Sequence, residues 1–162
     1  TRLKTTSFGV TGPAPFLPIA QALAVEMGGE PVQIAEGDRV LYHAALAHAS
    51  NHLVTITGQS LQILRSIGVE DPARYLEPLL RASLDNALSA GENALTGPVA
   101  RGDAHTVAAH AQTLAGFAVE EEAGDISSAY LALARATAER AHRRGALTDE
   151  QYNSVLAALT VN

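Results

Sequence analysis

The longest run of helical periodicity extends from Val40 to Ile67. Leu46, Leu53 and Leu64 recur at the spacing of one helix face, which predicts a buried apolar stripe on a helix of about 28 residues, roughly 40 Å long. A second line of small and polar positions lies beside this stripe and comprises His43, Ala47, Ser50, Asn51, Val54 and Gly58. This polar line predicts either the wall of a cleft or a close contact with another helix.

Before this helix, the pattern changes to short apolar runs separated by glycine and proline. Residues 7–11 (SFGVT) and 31–35 (PVQIA) are strand-like, and residues 17–27 between them carry apolar side chains at helical spacing that ends at Gly28–Gly29. A strand, a helix and a strand in about 30 residues form one βαβ unit. Such units belong to larger parallel sheets, because two strands alone make a poor sheet. The sequence therefore predicts a sheet domain upstream of this chain.

The chain after Asp38 is predicted to be helical throughout. Asp38 is expected to cap the long helix, and Asp71–Pro72 to start the next one. Pro78 is expected to interrupt that helix, leaving a short turn and a longer helix to about residue 90. The later helices are expected to run from a capping Asp103 to about Phe117, from a capping Asp125 to about Arg144, and from the capping box Thr148–Gln151 to about Leu159.

The composition agrees with a helical protein and excludes several classes. Hydrophobic residues make up 47% of the 162 positions but aromatic residues only 4%, so the core is predicted to consist of Ala, Leu and Val. The charged fraction of 17% is low, which indicates that part of the surface is an interface. The formal net charge of −6 argues against a nucleic-acid partner. The chain contains no long apolar run and no signal peptide, so we expect no membrane partner and a cytoplasmic location.

Cysteine is absent, which excludes disulfides, a thiolate nucleophile and cysteine-ligated metals. The sequence begins TRLKTTSFGV without a methionine, and we expect it to be a fragment or processed form of a longer protein.

Two histidines have the spacing of metal ligands. His48 and His52 are four residues apart, as on one helical turn of a zinc site. The zinc-protease pattern also requires Glu directly after the first histidine, where this chain has Ala49. His43 lies about 140° and 180° around the helix from them, so the three do not converge. We therefore expect no metal site and place His48 and His52 on a solvated or interfacial face.

The polar line of the long helix is the first candidate site. Asn is a poor helix former, so Asn51 in mid-helix indicates that its amide binds something. Ser50 and Asn51 either bond to neighbouring helices or contact a ligand. His43 is either a hydrogen-bonded residue near the helix start or a functional one.

Residues 94–103 (ALTGPVARGD) are the second candidate site. Gly97–Pro98 and Gly102 permit tight turns, and Arg101 has the planar group that binds carboxylate or phosphate bidentately. Asp103 is interpreted either as an N-cap or as part of the site. The chain contains no GxGxxG, P-loop or GxSxG motif, so a dinucleotide-binding turn is expected only upstream.

Two motifs, YHAALAHASNHL at 42–53 and LTGPVARGD at 95–103, follow a GG-x-P-V strand at 28–32 and together resemble one family. The chain is similar to the Rossmann-like oxidoreductases whose C-terminal half is the helical domain of unknown function 2520. These are relatives of 6-phosphogluconate dehydrogenase and ketopantoate reductase. The resemblance covers essentially the whole chain and implies a mainly α fold. Residues 1–37 would be the last strand–helix–strand piece of a Rossmann domain, and residues 38–162 a helical substrate-binding and dimerisation domain.

The resemblance also implies a function. The full-length protein would use NADP or NAD, bound mainly by the upstream domain, to reduce a small molecule such as a 2-keto acid of the ketopantoate type. Substrate would lie between the two domains, the helices would form a homodimer, and this chain alone would be inactive. The matching positions are His43 and Asn51 as catalytic residues, with Ser50, Thr96, Gly97, Arg101 and Asp103 as substrate-binding residues.

One position departs from the wider superfamily. Its characterised enzymes carry a catalytic lysine one turn before the asparagine, and that position here is Ala47. His43, two turns before Asn51, is the nearest replacement acid. The alternative hypothesis is a non-catalytic helical module that binds a ligand or dimerises, and a metal-dependent hydrolase is a distant third.

Overall fold

A computed structural model describes residues 6–160 and shows two short strands followed by helices. The first part consists of β1 (Ser7–Val10), α1 (Leu17–Glu26), β2 (Glu30–Gln33), a 3-10 turn (Glu36–Asp38) and α2 (Arg39–Ser66). The second part consists of α3 (Pro72–Ala90), a 3-10 turn (Gly91–Ala94), α4 (Pro98–Arg101), α5 (Ala104–Glu120), α6 (Gly124–Arg143) and α7 (Asp149–Ala158). The predicted fold class, mainly α with a remnant βαβ unit, is confirmed.

The chain divides into two compact units, Thr1–Thr57 and Gly58–Asn162. The domains expected from the sequence, 1–37 and 38–162, include residues 1–5 and 161–162, which lie outside the described residues. Their boundary at residue 37 remains a prediction.

The first unit contains the βαβ element. β1 and β2 pair in parallel, with Ser7 opposite Glu30 and Val10 opposite Gln33. Gly28 has a φ of 83° and ends α1 in the left-handed conformation that favours glycine. Ala24 is buried, whereas apolar side chains of and around α1 stay at least half exposed: Phe16, Ile19, Leu23, Val25 and Met27. Exposed apolar side chains of this kind are typical of a face that packs against another element.

Gly29 is required where β2 meets β1. A Cβ atom there would lie 2.5 Å from the Thr6 carbonyl oxygen and would also collide with the Phe8 ring. Because a backbone oxygen cannot move aside without shifting the strand, Gly29→Ala is expected to lower the free energy of unfolding of this unit by about 1–3 kcal/mol. Urea denaturation followed by circular dichroism measures it. Gly37→Ala is the control, because its Cβ would meet nothing within 4 Å; equal effects of the two substitutions would contradict the prediction.

α2 runs within one residue of its predicted bounds at each end, but its predicted burial is wrong. None of its side chains is buried, and Leu46 and Leu53 of the expected apolar stripe are 50% and 45% exposed. Periodicity predicts which face is apolar, whereas burial also requires a neighbouring element along that face. Asp38 is not a simple cap either, because it belongs to the 3-10 turn that runs directly into the helix.

The prediction that Pro78 interrupts the following helix is also wrong. α3 is continuous from Pro72 to Ala90 and contains Pro78. A proline removes one helical hydrogen bond, that of the carbonyl four residues earlier. Both Pro78 and Arg74, which carries that carbonyl, are exposed, so water can replace the lost bond. The helix starts as predicted, with the Asp71 side chain accepting a bond from the Arg74 backbone N–H at 3.1 Å.

The core of the second unit is formed by α5, α6 and α7 with α4 against them. Its buried residues are small or medium aliphatics: Val99, Val107, Ala134, Ala138, Val155 and Leu159. A second buried cluster contains Ala100, Ala141 and Leu147. The Ala, Leu and Val core expected from composition is therefore observed here. None of the helices described in residues 6–160 has the length and hydropathy needed to cross a membrane.

Two capping predictions in this unit have different outcomes. The Thr148–Gln151 capping box is confirmed, with both of its reciprocal bonds formed. Asp125 is not the cap of α6, because the helix begins one residue earlier and Ala123 precedes it. Asp125 instead lies in the first turn, where a carboxylate favours the helix dipole, and accepts a bond from Gln59 Nε2 at 2.8 Å.

Candidate functional site

A cavity lies at the carboxyl ends of β1 and β2 and is called here the strand-end cavity. Its volume is about 540 Å³, and its polar and aromatic lining consists of Thr11, Glu36, Arg39, Tyr42 and His43. Gly9, Ile34 and Val40 complete the lining. Thr11 and Ile34 directly follow the two strands, so the cavity occupies the edge at which open α/β sheets bind ligands.

Glu36 joins two other groups of the strand-end cavity. Its Oε2 accepts a hydrogen bond from Thr11 Oγ1 at 3.2 Å, and its Oε1 pairs with Arg39 Nη1 at 3.1 Å. The Arg39 and Glu36 side chains are 59% and 72% exposed, so the pair stabilises the fold little. A ligand that binds Arg39 or Glu36 in place of the other residue of the pair would therefore reduce the stability of the fold only slightly. Sequence analysis identified none of these three residues as functional.

Tyr42 enters the cavity because residue 9 is glycine. A Cβ atom on Gly9 would lie 2.8 Å from both Cζ and Oη of the Tyr42 ring, closer than real contacts allow. The absence of a side chain at Gly9 therefore sets how closely the phenol approaches β1. The sequence signal for this contact is Gly9 itself, because an isolated glycine within a strand often marks the close approach of another group.

Among the predicted residues of α2, only His43 lines the strand-end cavity. Ser50 and Asn51 lie about two turns further along α2, roughly 10–12 Å from His43 along its axis. The Ser50 hydroxyl is 2.8 Å from the Leu46 carbonyl oxygen, to which it donates, and 3.3 Å from Asn51 Oδ1. The structure thus groups His43 with Arg39 and Tyr42.

His48 and His52 contact each other on an exposed face of α2. Their Nδ1 atoms are 2.8 Å apart, and their rings meet edge to face with centroids 4.8 Å apart. At this distance a hydrogen bond joins the two rings, with one Nδ1 atom as the donor and the other as the acceptor. Within residues 6–160, no group of three or more His, Asp or Glu side chains is arranged to hold a metal ion.

The second candidate segment is not an irregular loop as expected, because residues 98–101 form the one-turn helix α4. Four residues are too few to show periodicity, and burial of Val99 and Ala100 holds the turn in place. Gly97 and Gly102, at φ values of 94° and 76°, flank it. Thr96 and Gly97 therefore precede a fixed helical turn, and Arg101 is exposed at its end.

Asp103 is the N-cap of α5, one of its two predicted interpretations. Its Oδ1 accepts from the Thr106 backbone N–H at 3.0 Å, and its Oδ2 from the Thr106 hydroxyl at 2.7 Å. These bonds, the hydroxyl bond first, lower the pKa of the Asp103 carboxyl below its ordinary value of 3.8. Each carboxylate oxygen of Asp103 accepts one bond within its own helix, and the capping role is sufficient to explain an Asp at this position.

The Asp103 cap predicts a pH-dependent contribution to stability. Because the folded-state pKa is depressed, the stabilisation is present above pH 3.8 and is lost as the pH falls through the folded-state value. Asp103→Ala is expected to lower the Tm at pH 7, and the difference from the parent chain should shrink below pH 3.8. Asp103→Asn retains a capping side chain without the titration. A Tm difference for Asp103→Ala that stays constant down to pH 2.5 would contradict this account.

Two arginines of α6 hold the segment before α4. Arg144 donates to the carbonyl oxygens of Glu92 and Leu95, the latter at 3.3 Å, and Arg140 pairs with the Glu92 carboxylate. Sequence analysis missed these contacts, which join residues 48 to 52 positions apart. The segment that leads into Thr96 is therefore fixed by α6.

Residues 6–137 match the profile of a family described as "Domain of unknown function (DUF2520)". The chain belongs to this family. The fold is similar to the crystal structure of protein TM1727 from Thermotoga maritima, with a TM-score of 0.71 and 27% sequence identity. The match covers 85% of this chain and 54% of that protein, so the chain spans about half of its length. No curated protein sequence matches the chain.

Both motifs that predicted membership lie inside the matched DUF2520 range, as does the whole lining of the strand-end cavity. Arg140 and Arg144 lie beyond residue 137, as does α7. The contacts that hold the segment before α4 therefore come from a part of this DUF2520 chain that the family profile does not match.

Proposed function

We propose that this DUF2520 chain is the helical part of an NAD(P)-dependent oxidoreductase that reduces the carbonyl group of a small acid, a 2-keto acid of the ketopantoate type. The observation that supports it is the position of His43. The residue predicted to be the proton donor lines a cavity at the carboxyl ends of parallel strands, beside Arg39 and Tyr42.

The strand-end cavity has the size and lining for this chemistry. Its volume of about 540 Å³ accommodates a nicotinamide ring and a small acid, and Ile34 and Val40 supply apolar walls. When bound, a reduced nicotinamide supplies a hydride to the carbonyl carbon. This chain lacks a glycine-rich phosphate-binding turn, so the remainder of the dinucleotide belongs to residues outside it.

The proposed roles of the chain's own residues follow from their chemistry. His43 donates the proton that the carbonyl oxygen acquires as it becomes a hydroxyl group. Asn51 lies about two turns further along α2, so its amide is proposed to orient an oxygen in another part of the substrate. Arg101 binds the substrate carboxylate through its planar guanidinium. Ser50, Thr96, Gly97 and Asp103 complete the proposed substrate-binding set.

The test uses the full-length protein with NADPH or NADH and a panel of 2-keto acids. Binding of the reduced nucleotide is measured by fluorescence, and turnover by loss of its absorbance. We expect nucleotide binding and turnover of at least one branched 2-keto acid. Absence of both would overturn the proposal.

A second candidate, a non-catalytic helical module that binds a ligand or dimerises, is favoured by Ala47 at the position of the superfamily lysine. Unchanged activities of the full-length protein on removal of the His43 side chain would support this candidate over the first.

We further propose that the chain forms a homodimer through its helices. Large apolar side chains of α2 and α3 are exposed, most of all Val40, Leu41, Val54, Leu79 and Leu88. Helices with this exposure bury their apolar faces on association. Sedimentation velocity is expected to give twice the mass of one chain. A species of one chain's mass at 100 μM protein, a concentration on the order of that at which even weak dimers form, would refute it.

A further inference from the structure

The second unit contains its own cavity, called here the Arg140 cavity. It lies among α3, the 3-10 turn Gly91–Ala94 and α6, with a volume of about 480 Å³. Its polar lining comes from Ser83, Asn86, Glu92, Thr96 and Arg140, and its apolar lining includes Ala87, Ala94 and Leu95. Small-molecule sites combine this size with a few convergent polar groups on an apolar wall.

The cavity holds one positive and one negative side chain in contact. Arg140 Nη1 pairs with Glu92 Oε1, and the two side chains are 54% and 49% exposed. An ion pair this exposed contributes little to stability, because water and ions compete for both partners. The guanidinium retains further N–H donors, and the carboxylate retains further lone pairs, for a ligand that carries both charges.

Three neutral polar groups face the same cavity. Within residues 6–160, the side chains of Ser83, Asn86 and Thr96 form no hydrogen bond with another residue. A hydroxyl group donates and accepts, and an amide does both through separate atoms. These groups are therefore able to bind the polar parts of a ligand without losing bonds within the protein.

We propose that the Arg140 cavity binds a free α-amino acid with a small apolar or amide side chain. The ligand carboxylate pairs with the Arg140 guanidinium, and its ammonium group pairs with the Glu92 carboxylate. Ala87 and Leu95 contact the ligand side chain, and Asn86 or Ser83 bonds to an amide where the ligand has one.

The spacing of the charges selects an α-amino acid. The Arg140 and Glu92 charges are in direct contact, so a zwitterion beside them matches both only if its own charges are similarly close. One carbon atom separates the two charged groups of an α-amino acid, whereas three separate those of 4-aminobutyrate. A ligand with a single charge satisfies one partner and repels the other.

The backbone on the acidic side of the site is held by two hydrogen bonds from Arg144. Arg144 donates to the carbonyl oxygens of Glu92 and Leu95, which fixes the backbone that carries the carboxylate. A group held in its binding position before the ligand arrives avoids an ordering cost on binding. The proposal does not depend on nicotinamide chemistry, since the cavity and its ligand require no second substrate.

Isothermal titration of this chain with L-valine and L-glutamine tests the proposal, with 4-aminobutyrate, acetate and methylamine as probes of charge spacing. At least one α-amino acid is expected to bind at least about tenfold more tightly than every probe, the ratio equivalent to 1.4 kcal/mol. Arg140→Gln and Glu92→Gln should each weaken that binding at least about tenfold. Arg143→Gln is the matched control, because Arg143 is an exposed cation of the same helix that does not line the cavity.

Two results would overturn the proposal. One is acetate binding as tightly as the amino acids, which identifies a simple anion site. The other is no heat of binding with either amino acid at about 10 mM, a concentration above the weakest specific affinities. Thermal unfolding checks that the charge variants are folded, and Asn86→Ala, at an exposed position of α3, gives a further test if one of them is not. Asn86→Ala is expected to weaken glutamine binding and to leave valine binding unchanged, because the proposed bond of Asn86 is to the amide of the ligand side chain; equal weakening of both would contradict that placement.

Discussion

Leu159→Ala is expected to lower the free energy of unfolding by about 2–5 kcal/mol, the range for a large-to-small change in a closed core. Leu159 is 1% exposed at the end of α7 and packs in the cluster that contains Val107 and Val155, both fully buried. Its carbonyl oxygen also accepts a bond from Arg135 Nη2 at 3.0 Å, which holds the surrounding backbone in place. The cavity left by the missing carbons therefore has little means to collapse.

Urea denaturation followed by circular dichroism measures the effect of Leu159→Ala. Leu133→Ala is the control, because the same chemical change is made at a position of α6 that is 43% exposed and lies outside the proposed dimer face, so it should alter stability much less than Leu159→Ala. A loss at Leu159 no larger than that at Leu133 would show that α7 does not close the core in solution.

His43→Ala is expected to lower kcat of the full-length protein by about 10²- to 10⁴-fold, the usual contribution of a general acid. The KM for the acid substrate should change much less, because the proton is transferred only in the transition state. Since His43 is exposed, its removal should leave the Tm nearly unchanged. Steady-state kinetics with varied acid substrate separates the two parameters.

Two further variants sharpen the interpretation of His43→Ala. His48→Ala removes an exposed histidine from the same helix that does not line the strand-end cavity, so kcat should stay within about twofold. Arg101→Ala should raise KM more than it lowers kcat, because it removes a binding group. Equal activities of the His43 and His48 variants would contradict the catalytic role.

The elements that sequence analysis predicted well carry their signals locally. α2 has continuous periodicity, and the starts of α3 and α7 have side-chain caps that the structure confirms at Asp71 and Thr148. Each of these signals rests on residues within a turn or two of one another, so a single sequence contains them. DUF2520 membership was predicted from two motifs, each a short continuous stretch of sequence, and the family match over residues 6–137 confirms it.

The features that sequence analysis missed depend on distant residues or on solvent. α4 is helical because Val99 and Ala100 are buried, and Pro78 is tolerated because its face of α3 is exposed. In the strand-end cavity, a hydrogen bond joins Thr11 to Glu36, which are 25 positions apart in the sequence. In the Arg140 cavity, an ion pair joins Glu92 to Arg140, which are 48 positions apart. No local pattern predicts such pairings, since loop closure and packing decide them.

The helical core relies on alanine at its closest contacts. Ala111, Ala138 and Ala141 are at most 1% exposed, so a longer side chain at any of them has no solvent to enter and must push a helix outward. Substitution by glycine would relieve no contact and would weaken the helix. Both larger and smaller residues are therefore expected to destabilise the fold at these three positions. Homologous chains that keep this helix spacing are expected to retain alanine there, while neighbouring positions vary.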